Sequence, residues 1–269
     1  MKRDWLFWVG ITYLGLLILA AIFVPLMTHH SYSEQVGRPQ LHAGTPGFPL
    51  GTDEIGRDVF LRLCYGARIS FLVGLTVQFI SLVVGVTVGV LGVYAPGWIR
   101  SPLMRLTDGM FAFPDILLAI LIIGVWKSGV VPVIVALSIT AWPSVARLVR
   151  GQVASLKDRE YVVAAKAMGA RPAYLVVKHI LPHLVGILMA ISMIDLAGTI
   201  LAESTLSFLG IGVQAPMPSW GSMINGSRAY LNSNPMMLFW PCLVLSMTMF
   251  ALNFVGDGLR EALDPKRTR

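Results

Sequence analysis

Long apolar segments, separated by polar loops rich in glycine and proline, recur along this chain. The first runs from Trp5 to Met27, about 23 residues, and as a helix it is long enough to cross a hydrocarbon core of roughly 30 Å. It has no small-residue cleavage site at its end, so we expect it to stay in the protein as a membrane helix. Similar segments follow at about 69–94, 111–126, 130–146, 183–202 and 236–255. The pattern predicts an all-α membrane protein with six transmembrane helices.

The composition supports this prediction. Hydrophobic residues make up 55% of the chain and charged residues only 13%, against about 25% charged in soluble domains. Fifteen of the 21 Lys and Arg residues lie at the termini, between the second and third segments, or at 147–182. Because basic residues accumulate in cytoplasmic loops, we expect both termini and the loop 147–182 in the cytoplasm. The net charge of +7 then reflects a multi-pass inner-membrane topology in contact with lipid, and we expect no nucleic-acid partner.

Signatures of catalysis are absent from the sequence. It contains no nucleotide-binding GxxxxGK[ST] loop, no HExxH and no GxSxG. Cys64 and Cys242 stand in unrelated segments without metal or redox spacing. We therefore expect no catalytic residue, no bound metal and no cofactor in this chain, so a partner would have to supply any energy.

The segments divide the chain into three parts. Residues 1–68 contain the first helix, an extracytoplasmic loop and an interfacial helix. Residues 69–256 form a five-helix membrane core with a cytoplasmic loop at 147–182 and an extracytoplasmic loop at 203–235. Residues 257–269 form a charged cytoplasmic tail.

The predicted interfacial helix begins after Pro49. Thr52 or Asp53 can cap it by accepting hydrogen bonds from free backbone N–H groups. Ile55, Val59 and Leu63 fall on one face at helical spacing. The helix either braces the bundle or offers a docking surface to an external partner, and the sequence leaves both interpretations open.

Small residues line one side of the second segment. Gly85 and Gly89 are four positions apart, a spacing that lets another helix approach closely. Gln78 and Ser81 in the same segment are candidate polar lining residues.

The fifth segment carries polar residues at membrane depth. Ser192, Asp195, Thr199 and Glu203 follow helical spacing and predict a polar stripe on an apolar helix. An ionisable group at the bilayer centre costs about 2.5–3.5 kcal/mol on insertion scales, so Asp195 should face protein or water. The stripe either lines a translocation path or makes buried contacts with a neighbouring helix.

The loop 147–182 predicts two helices joined at a glycine. Ser155 and Asp158 are candidate N-caps for a first helix over 160–168. Gly169 suits the left-handed residue that commonly ends a helix. Together these positions predict a rigid corner that projects from the membrane.

Prolines bound the second of these helices. Pro172 suits its first turn and Pro182 is expected to end it. In the first helix, Ala164 and Ala165 would let another surface approach the backbone closely. The pair either docks a protein partner or lies on anionic lipid, and the residues alone leave both open.

The corner resembles a known motif. The EAA motif of bacterial ABC importer permeases reads EAA, three residues, G, nine residues and I-x-L-P; here VAAKAMG occupies 163–169 and HILP occupies 179–182. Longer blocks resemble the C-type permease subunit of dipeptide and oligopeptide importers of the peptide/nickel family. These blocks are PLGTDEIGRD at 49–58, YGARIS at 65–70, ARLVRGQ at 146–152, EYV at 160–162, LSFLGIGVQ at 206–214 and PSWG at 218–221. Two residues depart from the motif: Val163 replaces its glutamate and His179 its isoleucine.

The resemblance implies a type I ABC importer permease fold with a cytoplasmic coupling helix. It implies a homologous second permease as partner in a heterodimer, two cytoplasmic ATPase subunits that bind ATP and Mg, and an external substrate-binding protein. The expected ATPase-coupling residues are Glu160, Tyr161, Val163, Ala164, Ala165, Lys166, Gly169 and Arg171. The residues expected to face the binding protein are Asp53, Arg57, Asp58 and Trp220.

The implied function is import of dipeptides or oligopeptides. One alternative is a permease of the same family for nickel chelates or another small solute. A second is a stand-alone ion-coupled transporter with Asp195 and Glu203 as its relay, which would leave the corner unexplained. A third, an intramembrane enzyme, would need a catalytic partner for Asp195 that the sequence does not supply.

Overall fold

The computed structural model describes residues 4–263, and within that range the chain is helical, with β-pairing limited to two isolated bridges. The long helices are α1 (Asp4–Met27), α2 (Val59–Tyr94), α5 (Val130–Leu156), α8 (Leu181–Phe208) and α10 (Met236–Ala262). The short helices are α3 (Gly97–Met110), α4 (Asp115–Val125), α6 (Glu160–Ala167), α7 (Pro172–Tyr174) and α9 (Trp220–Ser227). A π-helical turn occupies Leu175–Ile180 and a 3₁₀ turn Arg228–Tyr230.

Five helical segments among the described residues are long and apolar enough to cross a membrane. They are Trp5–Met27, Val59–Tyr94, Val130–Leu156, Pro172–Phe208 and Met236–Ala262. The pair α3 and α4 makes a sixth if it crosses as one broken span. The predicted all-α membrane fold is confirmed.

The third span differs from its prediction over 111–126. Its membrane helix, α4, has only 11 residues and lies at 95° to α3. The chain turns at Phe111–Pro114, because a residue that precedes proline is disfavoured in the helical conformation. A broken span replaces the single helix that hydropathy predicted.

The helix after Pro49 is not separate, and its cap is a different residue from those predicted. Asp58, rather than Thr52 or Asp53, caps α2: its Oδ1 accepts hydrogen bonds from the N–H groups of Phe60 at 2.8 Å and Leu61 at 3.4 Å. Burial raises the pKa of the Asp58 carboxyl, and these hydrogen bonds oppose that rise. Residues 50–58 form turns and an isolated bridge, so only the second half of the predicted interfacial helix, from Val59 onward, is helical, as the start of α2.

Three other helices extend beyond their predicted ends. α5 continues to Leu156, α8 to Phe208 and α10 to Ala262. Their polar ends lie outside the apolar segments on which the prediction relied. The domain boundaries expected at residues 68 and 256 fall inside α2 and α10, and residues 264–269 of the expected tail lie outside the described range.

The closest helix pairing joins α2 to α5 through glycine. A Cβ placed on Gly85 would lie 2.5 Å from Val145 Cβ, and one on Gly89 would lie 2.8 Å from the Ala146 carbonyl oxygen. Both distances are below any real carbon contact, so the two helix backbones meet where these residues have no side chain. The predicted close approach is confirmed.

α8 runs from one end of the bundle to the other, from the π turn after α7 to the loop before α9. It packs against α2 and α10, and α1 packs on the outside of α10, where the Tyr13 hydroxyl lies 3.2 Å from Thr248 Oγ1. We call the end of the bundle that carries α6 the α6 face and the end that carries α9 the α9 face. An apolar cluster with Ile180 and Leu184 supports the α6 face, and another around Trp220 supports the α9 face.

Candidate coupling surface and buried polar sites

The α6 helix begins without the caps predicted for it. Ser155 still belongs to α5, and the N-cap position of α6 is Arg159, which makes no side-chain capping hydrogen bond. Asp158 lies one residue too early. The start of α6 is instead set by a tight turn after α5, in which the Arg159 N–H donates to the Leu156 carbonyl at 3.1 Å.

α6 presents one face to the protein and the other to its surroundings. Val162 and Ala165 are buried in the apolar cluster with Ile180 and Leu184. The side chains expected to meet an ATPase are mostly on the open side. Glu160, Tyr161, Val163, Ala164, Lys166, Gly169 and Arg171 are exposed, whereas Ala165 is buried.

The glycine corner forms as predicted. Gly169 has φ +89°, a left-handed conformation in which other residues are strained. Its N–H donates to the Lys166 carbonyl at 3.0 Å, and the Ala170 N–H donates to the Ala165 carbonyl at 3.1 Å. These two bonds form a Schellman ending. Met168, just before the corner, is 83% exposed and forms the tip of the projection.

The second part of the corner is continuous with α8. Pro172 occupies the first turn of α7, as predicted. Pro182 does not end this helix, because it lies in the first turn of α8, directly after the π turn Leu175–Ile180. The chain passes from α7 through the π turn Leu175–Ile180 directly into α8. The second part of the projection is therefore the end of the membrane span Pro172–Phe208.

The polar residues of α8 do not share one environment. Ser192 Oγ accepts a hydrogen bond from Gln78 Nε2 of α2 at 3.2 Å and is buried. Thr199 is buried and its hydroxyl donates to the Asp195 carbonyl at 2.9 Å. The Asp195 side chain is partly exposed and, within residues 4–263, makes no hydrogen bond or ion pair. Only Asp195 of this group is available to a solute in this structure.

Glu203 is enclosed by serine hydroxyls. Its carboxylate accepts hydrogen bonds from Ser207 at 2.8 Å, Ser70 at 3.1 Å and Ser204 at 3.4 Å, and the residue is 0% exposed. Ser207 Oγ in turn accepts the Val213 N–H at 3.0 Å. The carboxylate thus links α2, α8 and the loop after α8. It does not line a path in this structure.

The residues expected to face a binding protein are mostly internal. Trp220 is fully buried, with its Nε1 donating to the Leu63 carbonyl at 3.2 Å. Asp53 and Arg57 are buried and paired, and Asp58 caps α2. Trp220 therefore anchors α9 to α2, since a buried indole can reach no external partner. On this point the expectation is corrected.

Sequence reasoning missed the buried ion cluster of the α9 face. Asp53 Oδ2 binds Arg57 Nε at 2.5 Å and Arg62 Nε at 3.3 Å, and Arg57 also binds Glu54 at 2.8 Å. Arg62 further donates to the Tyr32 carbonyl at 2.9 Å, which ties the loop before α2 to the helix. The spacing of Asp53 to Arg57 was a visible signal for this cluster.

A cavity opens beside the ion cluster. It has a volume of about 230 Å³ and lies between residues 53–62 and the segment 207–227. Its lining combines the charged side chains of Glu54 and Arg57 with Gln214, Ser222 and Asn225. Val213 and Met223 also line it, so the α9 face offers a recessed surface of mixed polar and apolar character, in contrast to the projecting α6 face.

Comparison with known proteins identifies the fold and the architecture. The family described as binding-protein-dependent transport system inner membrane component matches residues 81–269. A second family, the N-terminal transmembrane domain of oligopeptide transport permease C, matches residues 1–43. This chain belongs to the inner membrane components of binding-protein-dependent transport systems. It is a permease of the ABC importer type.

Curated relatives align with this permease over nearly its whole length. The oligopeptide transport system permease protein OppC of Bacillus subtilis (strain 168) is 40% identical, covering 96% of this chain and 85% of that protein. The dipeptide transport system permease protein DppC of the same strain is 40% identical, covering 100% of this chain and 84% of that protein. The glutathione transport system permease protein GsiD of Escherichia coli O6:K15:H31 is 38% identical, covering 93% and 83%.

A solved structure shows the same fold as this permease. A chain of the MetNI methionine ABC transporter, in an inward-facing conformation, superposes with a TM-score of 0.63 at 21% identity. The match covers 76% of this chain and 96% of that chain. The predicted ABC importer permease fold is confirmed.

Proposed function

We propose that this permease is one half of the membrane pathway of an ATP-driven peptide importer. The observation that carries the proposal is the α6 projection, which is exposed at its tip and is joined at the Gly169 corner to the continuous helical run of α7, the π turn and α8. The named relatives, which transport oligopeptides, dipeptides and glutathione, support a peptide substrate. All three solutes contain peptide bonds and charged groups, whereas a nickel chelate need contain neither.

The complex has four kinds of chain in this proposal. A homologous second permease completes the pathway as a heterodimer, and an external substrate-binding protein delivers the peptide. Two ATPase subunits hold ATP and Mg, which accords with the absence of a GxxxxGK[ST] loop here. The α6 face and both termini lie in the cytoplasm, as the distribution of Lys and Arg indicates.

The contact with the ATPase depends on shape in this proposal. Val163, 51% exposed, stands where the family motif has a glutamate, so the α6 face lacks that carboxylate. Exposed Ala164 and the Met168 tip leave a narrow apolar ridge that a cleft can enclose. A lipid-bound amphipathic pair is less well supported, because Gly169 turns the two helices into a projecting corner.

The solute path passes Asp195 in this proposal. Its carboxylate is partly exposed on α8, the helix that carries the corner. A stand-alone ion-coupled transporter would need Glu203 as a second relay group. Enclosure of Glu203 by Ser70, Ser204 and Ser207 disfavours that role.

Reconstitution tests the proposed function. The permease is co-purified in mild detergent with the second permease and the two ATPase subunits. The complex is placed in proteoliposomes with the binding protein outside and ATP inside. We expect ATP-dependent uptake of a radiolabelled tripeptide and no uptake with ADP. Uptake by the permease alone under an ion gradient, or uptake of a nickel chelate but of no peptide, would contradict the proposal.

A further inference from the structure

Four aromatic rings connect α6 to the first turn of α8. The Tyr161 ring stacks on the His183 ring, with centroids 5.4 Å apart and planes 20° from parallel. The same tyrosine ring lies 6.4 Å from the His179 ring, and Tyr174 packs edge-on against His179 at 5.6 Å. Tyr161 belongs to α6, His179 to the π turn and His183 to α8. Because Tyr174 belongs to α7, the ladder spans the four consecutive segments from α6 to α8.

The position of His183 is held independently of the stack. Its Nδ1 lies 2.8 Å from the carbonyl oxygen of His179. Because a carbonyl oxygen only accepts hydrogen bonds, Nδ1 carries the proton and donates. The imidazole plane is thereby held in place for the tyrosine ring. His179, which departs from the isoleucine of the family motif, supplies both this carbonyl and a ring contact.

α6 packs against both α5 and α8, so it could move together with either helix. Its buried residues Val162 and Ala165 sit in a cluster that includes Val153 of α5 and Leu184 of α8. Apolar contacts of this kind favour no direction. The stack of Tyr161 on His183 adds a directional contact to α8 alone. Among the described residues, no ring contact joins α6 to α5.

We propose that Tyr161 and His183 form a brace that makes α6 and α8 move as one body, so that displacement of the α6 tip reaches the membrane part of α8. This inference rests on the proposed function for the source of the displacement. Tyr161 and His183 act as positioning residues: they touch each other and set the angle of α6. The helix that follows the brace carries Ser192, Asp195 and Thr199.

The first arm of the test uses the full-length permease alone. Spin labels are attached at Lys166→Cys on α6 and Val185→Cys on α8, both exposed, in a background with Cys64 and Cys242 replaced by alanine. We expect a narrow distance distribution that Tyr161→Phe preserves and Tyr161→Ala broadens. An unchanged distribution in Tyr161→Ala would overturn the brace.

The second arm uses the reconstituted complex and counts ATP hydrolysed per molecule of radiolabelled tri-alanine imported. We expect Tyr161→Ala and His183→Ala to raise this ratio roughly two- to tenfold, as loss of an aromatic pair allows. Tyr161→Phe and His183→Phe, which keep a stacked ring, should stay near wild type. A ratio unchanged in Tyr161→Ala, or raised as much in Tyr161→Phe, would overturn the transmission role.

Tyr174→Ala is the matched control. Tyr174 contacts the ring of His179 within one continuous helical segment, so its loss does not separate α6 from α8. We expect its coupling ratio and spin-label distances to match wild type. If wild-type permease retains no ATPase during purification, the proposed function fails, whereas the brace is still decided by the first arm.

Discussion

The Ser70 hydroxyl donates a hydrogen bond to the Glu203 carboxylate at 3.1 Å and so joins α2 to α8 inside the helix bundle. These residues are 133 positions apart in the chain. Ser207 extends the connection to the loop before α9 through the Val213 N–H. Glu203 therefore holds together the elements that form the α9 face.

Replacing Glu203 should destabilise the fold. Glu203→Ala leaves the Ser70 and Ser207 hydroxyls without their acceptor in a buried site, which costs about 1–3 kcal/mol. Glu203→Gln keeps one carbonyl acceptor and should retain most of the stability. Thermal unfolding in detergent measures both, with Thr205→Ala, a partly exposed position on the same helix whose hydroxyl donates to the Leu201 carbonyl, as control. Equal melting temperatures for Glu203→Ala and wild type would contradict the structural role.

A side chain at Gly89 should disrupt the pairing of α2 with α5. The added Cβ of Gly89→Ala meets the Ala146 carbonyl oxygen at 2.8 Å, and overpacking of this kind costs about 1–3 kcal/mol. Gly198→Ala is the matched control, since nothing lies within 4 Å of a Cβ built there. We expect a lower melting temperature and a smaller monodisperse fraction for Gly89→Ala only. Equal behaviour of the two variants would show that the helices separate without cost.

A β-branched residue at Gly169 should uncouple transport from ATP hydrolysis. Space around the position is open, so the cost arises from the left-handed backbone, roughly 1–2 kcal/mol for a residue with a Cβ. Gly169→Val should therefore reshape the corner, whereas Gly169→Asn, which tolerates this conformation, should keep it. The measurement is ATP hydrolysed per substrate imported. Wild-type coupling in Gly169→Val would refute the rigid corner.

Restoring the motif carboxylate should have a small effect. Val163 is half exposed, so Val163→Glu fits without a change in melting temperature. An added exposed ion pair is worth about 0.2–1 kcal/mol, which limits the gain in ATPase affinity to roughly fivefold. Ala164→Trp, which blocks the ridge, should abolish binding. The measurement is the affinity of the ATPase subunit for the permease in detergent. A gain of two orders of magnitude in Val163→Glu would show that charge dominates the contact.

Asp195 provides the test of the solute path. Asp195→Asn removes the charge with little change in size, so assembly and melting temperature should be kept. We expect altered uptake rates among peptides of different charge. The control is Ser192→Ala. Because the Ser192 hydroxyl is hydrogen-bonded to Gln78, its loss should not change the preference between substrates. Identical uptake of every peptide by Asp195→Asn and wild type would assign the residue a structural role.

Sequence pattern by itself determined the membrane class, the number of apolar segments and the glycine corner. These features depend on local chemistry: hydropathy over a helix length, and a backbone conformation at Gly169 that favours a residue without Cβ. The motif blocks also directed attention to the α6 corner, where most of the expected coupling residues are exposed, and their role in coupling stays a prediction. Helix ends were less predictable, because polar turns such as those of α5 and α10 continue helices beyond the apolar segments.

Only the tertiary structure decided which polar residues face one another. Asp58 rather than Asp53 caps α2, because α2 begins only at Val59, while Asp53 pairs with Arg57 and Arg62. Trp220 bonds to Leu63, 157 positions earlier, and Glu203 bonds to Ser70, which is likewise distant in the chain. A linear pattern carries no record of such pairings, since burial and hydrogen-bond partners are set by how the helices pack. The stack of Tyr161 on His183 belongs to the same class of information.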